Sequence, residues 1–149
     1  MNSETILNYI KINDMISTSG QPTKEQFETI LKDDFDVVIN LALSTATNAL
    51  DNEDKIVSTL GMTYIHIPVD FENPTIENLK LFLTLLSSLE DKKVLVHCAL
   101  NYRASAFMYV YHKYFLQTPF DKIDLSMMQE WSPDKKWQEL MKTSFEELS

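Results

Sequence analysis

The sequence predicts one α/β domain built on a mostly parallel central sheet with helices on both faces. Three observations carry that expectation. The runs 36–43, 62–68 and 93–97 are rich in β-branched and apolar residues, as strands covered on both faces require. The segments between and after them repeat apolar residues at helical spacing, and strands alternating with helices imply a parallel sheet. Finally, with 149 residues, 44% of them hydrophobic and 11% aromatic, the chain fills one core and is short for two. No repeat, low-complexity tract or Gly/Ser linker divides it, so residues 1–149 are expected to form a single domain.

The elements follow in order. Ser19, Gly20, Gln21 and Pro22 read as a turn. Thr23 through Gln26 has the form of a capping box, with Phe27, Ile30 and Leu31 as the apolar stripe behind it, so a helix is predicted over about 23–33. The strand at 36–43 comes next, then a helix over about 50–60, then the strand at 62–68. Asn73-Pro74-Thr75 opens a longer helix with Ile76, Leu79, Leu83 and Leu86 on one face. The strand at 93–97 delivers the chain to Cys98, and Ala104, Phe107, Met108 and Tyr111 then repeat at helical spacing, which demands a sharp strand-to-helix turn across 98–103. The tail, from Phe120 through Trp131, Pro133 and Trp137 to Leu148, reads as two short helices around a Trp-Ser-Pro turn. Its tryptophans are expected to pack rather than to touch a ligand.

A net charge of −9 argues against a polyanion binder that works by neutralising phosphates, and no nucleic-acid or membrane partner is expected. The single cysteine, Cys98, excludes an intrachain disulfide and a cysteine zinc cage. His66 and His112 lack ligand-like spacing, so neither metal nor cofactor is expected. The N-terminus has no basic region followed by an apolar one, and no apolar run approaches the roughly 18 residues of a membrane span. A soluble, cytoplasmic protein is the expectation, with an already trimmed signal peptide left open.

Chemistry concentrates at the end of the strand 93–97. A buried strand, then His97-Cys98, then a short loop, then Arg103 at the opening of a helix is the arrangement an anion-binding nucleophile needs. The turn gathers backbone N–H groups, the helix start adds partial positive charge, and arginine grips two phosphate oxygens with its planar fork. The same field favours a thiolate over a thiol. A lone cysteine at a strand end is ordinarily a small buried hydrophobe; His97, Cys98, Arg103 and Ser105 together at a strand-to-helix junction are more specific. His97 is expected to orient the loop by hydrogen bonding, and Tyr102 either stacks on a substrate or covers the pocket.

In Thr18-Ser-Gly-Gln-Pro-Thr23, Val38-Ile-Asn-Leu41, Ile67-Pro-Val-Asp70, Val96-His-Cys98 and Arg103-Ala-Ser105, the sequence resembles the protein-tyrosine and dual-specificity phosphatase superfamily, and more closely its small bacterial branch. The resemblance spans most of the chain. It implies the cysteine-phosphatase fold and a phosphocysteine intermediate on Cys98. The loop residues Ala99, Leu100, Asn101, Tyr102, Arg103 and Ala104 would cradle the phosphoryl group, with Arg103 as its clamp. Asp70 would be the general acid, with Glu72 as its alternative in the same loop, and Ser105 would assist the departing thiolate. The partner implied is a phosphorylated substrate of unread class, and phosphate or sulfate is expected to occupy the loop.

The superfamily separates Cys and Arg by five residues, whereas four stand between Cys98 and Arg103. Two fits are open. Either the loop is one residue shorter, or it keeps its usual length with Asn101 where glycine is common, Ala104 where arginine is expected and Ser105 in register. Asparagine tolerates the left-handed backbone that such a glycine often adopts, which favours the second. The readings are therefore a phosphatase, a catalytically weak module that binds phosphorylated ligands, or a rhodanese-like sulfurtransferase, whose active loop the four-residue spacing also resembles.

Overall fold

The computed structural model describes residues 2–148. Five strands form one sheet in the order β1-β2-β5-β3-β4. Here β1 is Ile10–Lys11, β2 Ile16–Ser19, β3 Val37–Asn40, β4 Thr63–His66 and β5 Val94–His97. Only β1 runs antiparallel, against β2; β2, β5, β3 and β4 are mutually parallel. The helices are α1 (Lys24–Lys32), α2 (Glu53–Thr59), α3 (Ile76–Ser88), α4 (Tyr102–Tyr111), α5 (Ser126–Glu130), α6 (Lys135–Met141) and α7 (Phe145–Leu148). A π-helical turn at His112–Leu116 extends α4, and a 3-10 turn covers Phe120–Lys122.

Local sequence explains most of these boundaries. Thr23 caps α1 in a complete capping box, its hydroxyl accepting from the Gln26 N–H while the Gln26 side chain accepts from the Thr23 N–H. Thr75 caps α3 through the Asn78 N–H, and Asp134 caps α6 through the Trp137 N–H. Each cap satisfies a donor that the first helical turn leaves unpaired.

Alternating side chains send the sheet's apolar residues to two cores. Ile16, Val37, Ile39, Val94 and Val96 pack on one face with α3, α4 and Trp137 of α6. Val38 and Leu95 pack on the other with Phe27 and Ile30 of α1 and Val57 of α2. The period-2 geometry of strands makes this division, and it places helices on both faces as the sequence predicts.

Three expectations need correction. The run 62–68 does not form a strand covered on both faces: β4 lies at the sheet edge, with Thr63 and His66 exposed and Tyr64 and Ile65 only partly covered. Only one neighbouring strand, β3, is there to cover it. No turn forms at 19–22, because Ser19 closes β2 in register with His97 and Gly20 bridges Leu100. The tail holds α5 and α6 around Trp131-Ser-Pro133 as expected, and a third short helix, α7, follows them.

The register fixes the location of the site. Ser19 and Asn40 both pair with His97, so β2, β5 and β3 end side by side and their three following loops leave the same edge. Ligands in open α/β sheets bind beyond these carboxyl ends.

Candidate active site

From β5 the chain passes through Cys98, which is 1% exposed, and enters α4 at Tyr102. The path between is held by its carbonyls. Cys98 C=O accepts from His97 Nδ1 at 3.1 Å. Ala99 C=O accepts from the Gln21 N–H at 3.0 Å and from Asn48 Nδ2 at 3.0 Å. Leu100 C=O accepts from Asn8 Nδ2 at 2.9 Å, and Asn101 C=O receives the first hydrogen bond of α4, from Ser105 N–H. In a trans peptide the N–H lies opposite the C=O. Anchoring these carbonyls outward therefore turns the following amides the other way. Among the described residues, the amides of Ala99, Leu100, Tyr102, Arg103 and Ala104 have no hydrogen-bond acceptor. They join the positive end of the ten-residue helix α4, a combination suited to an anion.

Asn101 makes the bend. Its φ of 71° and ψ of 9° are left-handed, a conformation that asparagine tolerates. Its side chain is fully enclosed, donating to Asn8 C=O at 2.7 Å and Thr18 Oγ1 at 3.1 Å while accepting from Ser105 Oγ at 3.2 Å. Gly20 passes so close beneath that a Cβ there would meet the Ala99 carbonyl oxygen at 2.8 Å.

Arg103 is 7% exposed and its Nη1 donates to Val69 C=O at 2.9 Å. Its guanidinium lies over the Phe71 ring, 5.6 Å from the centroid. Its Nε is buried without a partner among the described residues, an arrangement native interiors seldom leave unanswered. The segment 69–73 that Arg103 grips contains both candidate acids. Asp70 is exposed, with Oδ1 accepting from the Glu72 N–H at 2.9 Å; Glu72 is exposed too. Helix α6 holds the same segment from the other side, through Trp137 Nε1 to Phe71 C=O at 2.9 Å and Lys136 Nζ to Glu72 C=O at 3.2 Å.

The aromatic residues of the tail close this side. Tyr102 stacks on Trp131 with centroids 5.4 Å apart, and Phe71 meets both Trp131 and Trp137. Trp137 is fully buried. His66 donates from Nε2 to Ala42 C=O at 2.7 Å, and the His112 ring bonds Thr118 Oγ1 at 2.8 Å, each away from the cysteine loop. Among the described residues no cluster of three or more His, Cys, Asp or Glu could hold a metal ion.

Beneath the loop lies a buried polar set that sequence reasoning missed. His97 Nε2 is 2.6 Å from Glu53 Oε2, both side chains being almost wholly enclosed, and Glu53 Oε1 accepts from Gln21 Nε2 at 2.8 Å. Glu53 opens α2, where an acidic residue reads as an ordinary partner of the helix dipole, and no sequence signal separates the two roles.

Comparison with known proteins accords with this geometry. Residues 8–146 match the family described as "DSP-PTPase phosphatase fused to NAD+ Kinase". The chain belongs to that family. It is accordingly a hydrolase of the protein-tyrosine and dual-specificity phosphatase type. A crystal structure of a candidate phosphatase (DUF442) from Shewanella putrefaciens is 35% identical, covering 98% of this chain and 93% of that one with a TM-score of 0.84. TpbA of P. aeruginosa, solved in complex with pTyr, is 12% identical over 99% of this chain and 90% of its own, TM-score 0.75. PTPMT1 in complex with PI(5)P is 19% identical over 94% and 96%, TM-score 0.73. These last two show the fold alone. No curated protein matches the chain. Among the described residues no helix is long and apolar enough to cross a membrane.

Proposed function

We propose that this phosphatase-family hydrolase cleaves a phosphomonoester through a phosphocysteine intermediate on Cys98. The observation that carries the reading is the outward anchoring of the Cys98, Ala99 and Leu100 carbonyls, which leaves the loop amides, beside a lone thiol, directed to the opposite side. The Cys98 thiolate attacks phosphorus and the bond to the leaving oxygen breaks, with Asp70 giving that oxygen a proton, since an alkoxide or phenolate leaves poorly without one. Water then attacks the phosphocysteine. It passes a proton to Asp70 as the S–P bond breaks, and Ser105 Oγ turns its hydrogen from Asn101 Oδ1 to the departing thiolate. The amides of residues 99–104 hold the equatorial oxygens, and the partnerless Arg103 Nε supplies a charged donor. Phosphotyrosine and a phosphoinositide bound to fold relatives support a phosphorylated ligand and leave its class open. Family membership favours phosphoryl over sulfur transfer.

Arg103 also supports a second reading. Its Nη1 is already committed to Val69 C=O, and a clamp with fewer free donors suits a module that binds phosphorylated ligands and turns them over poorly. Release of nitrophenol from para-nitrophenyl phosphate decides between the two. Turnover that resists chelator, is abolished in Cys98→Ser and falls at least tenfold in Arg103→Lys, where the planar fork is lost, is the outcome expected. Turnover persisting in Cys98→Ser refutes the mechanism. No turnover in the parent chain, together with a melting temperature raised by phosphate, favours the binding module.

A further inference from the structure

Glu53 takes no part in the proposed reaction, yet it is 5% exposed, while the other Asp and Glu side chains among the described residues are all more open. A buried acid without a function is costly unless fully partnered, and both of its oxygens are partnered by groups that lead to the nucleophile's loop. Oε2 meets His97 Nε2, and His97 Nδ1 reaches Cys98 C=O. Oε1 accepts from the side chain of Gln21, and the backbone N–H of Gln21 reaches Ala99 C=O. One carboxyl group therefore ends two arms that fix two successive carbonyls, and these carbonyls set the direction of the Ala99 and Leu100 amides.

The arms also specify protons. A carbonyl only accepts, so His97 Nδ1 carries a hydrogen. The Glu53 carboxyl holds the other ring nitrogen, Nε2, at 2.6 Å, so the ring is fixed at both ends. We infer that Glu53 is a positioning residue for the cysteine loop, fixing the His97 ring at Nε2 and, through Gln21, the peptide after Cys98. The inference rests on Cys98 being the nucleophile of the proposed reaction.

Other charged or titratable groups near this pair are few. The Phe27 ring of α1 stands edge-on to His97, 6.3 Å between centroids. Asp54, Tyr64 and His66 share with Glu53 the lining of a cavity of about 430 Å³. Glu53 is the only one of these carboxylates that bonds the ring.

The lone thiol makes a direct test available. Alkylation of Cys98 by iodoacetamide, followed by mass spectrometry between pH 6 and 9, reads the thiolate without requiring turnover. Glu53→Gln keeps a group of nearly the same shape with an oxygen for Gln21, and replaces the carboxylate oxygen at His97 Nε2 by an N–H. Alkylation at pH 7 should then slow severalfold, because the carboxylate contact that sets the His97 ring against the Cys98 carbonyl is lost, while the rate on the alkaline plateau stays within twofold of the parent. Glu53→Asp should recover part of the neutral rate. Glu53→Ala cuts both arms, and the inorganic phosphate needed to protect Cys98 from alkylation should rise severalfold.

Should the Glu53 variants not fold, as judged by circular dichroism, Gln21→Met cuts one arm and spares the His97–Glu53 pair. It should weaken phosphate protection and leave the alkylation profile in place. A Glu53→Gln profile that superimposes on the parent, or unaltered phosphate protection in Gln21→Met, overturns the inference. Failure of the phosphatase reading shows separately, as absence of aryl phosphate turnover in the parent chain.

Discussion

Replacing Gly20 by alanine tests the closest backbone approach in the site. The added Cβ would stand 2.8 Å from the Ala99 carbonyl oxygen and 3.0 and 3.1 Å from the Leu7 side chain. Leu7 is 45% exposed and can move aside; the carbonyl cannot move freely, since it accepts from Gln21 N–H and Asn48 Nδ2, both at 3.0 Å. Relief therefore lengthens two hydrogen bonds worth about 0.5–1.5 kcal/mol each, in line with the roughly 1–3 kcal/mol that overpacking costs. Taking about 2 kcal/mol, and about 2–4 °C per kcal/mol for a chain of this size, the melting temperature should fall by about 4–8 °C. Because the displaced atom belongs to the loop, phosphate should also raise that temperature less in the variant than in the parent. Thermal melts with and without phosphate measure both. A variant that melts within about 1 °C of the parent and responds equally to phosphate would show that the strand end and the loop are not in this contact.

Two further outcomes follow from single residues. Asn101→Gly keeps the left-handed backbone and loses three side-chain hydrogen bonds, a cost of about 1–3 kcal/mol; Asn101→Ala loses the same bonds and adds about 1 kcal/mol for a β-carbon at positive φ, so alanine should melt lower than glycine, and equal melting of the two would refute the requirement. Burial pushes the His112 imidazole below its ordinary value of about 6.5, against an opposing pull from Asp124. As pH falls through 6.5 the unfolded chain binds this proton first, so the stability that neutral His112 contributes is complete above that value and drains away below it. The melting-temperature gap between the parent and His112→Gln should therefore shrink from pH 8 to pH 5, and a constant gap would refute the assignment.

How far the fold could be read in advance depended on how each strand is buried. Val37 to Ile39 and Val94 to Val96 lie in the sheet interior, and their unbroken apolar runs announce it. The same logic overstated β4, because the absence of a second neighbouring strand is a tertiary fact that Thr63 and His66 only hint at. The strand β2 went unread for the opposite reason. Ile16-Ser-Thr-Ser19 contains one apolar residue, yet all four positions are buried, and hydropathy cannot see a strand whose interior side chains are hydroxyls. At the site, the strand-to-helix passage from Cys98 to Arg103 was legible because it is bound to local order along the chain. Glu53 was not, since 44 residues separate it from His97 and nothing local distinguishes it from a surface acid.

The polar character of β2 has a physical cause at the site. Ser17 Oγ meets Tyr9 OH at 2.7 Å, Thr18 Oγ1 accepts from Asn101, and Ser19 Oγ donates to Gly20 C=O while its own carbonyl accepts from Cys98 N–H. An aliphatic strand could bury as much surface but could not supply the acceptor that secures Asn101. Without it, one of the two hydrogens of the buried Asn101 amide would have no acceptor, at about 1–3 kcal/mol. The strand thus departs from the hydrophobic pattern where it touches the loop, as sequences do where a functional site is supported at the expense of local rules. The same reasoning accounts for Glu53 and Gln21, polar side chains enclosed beneath the nucleophile's loop, and it locates the requirement in one place. The side-chain contacts of Thr18, Ser19 and Glu53 end, directly or through one neighbour, on the backbone between Ser19 and Gly20 or on the loop that begins at Cys98.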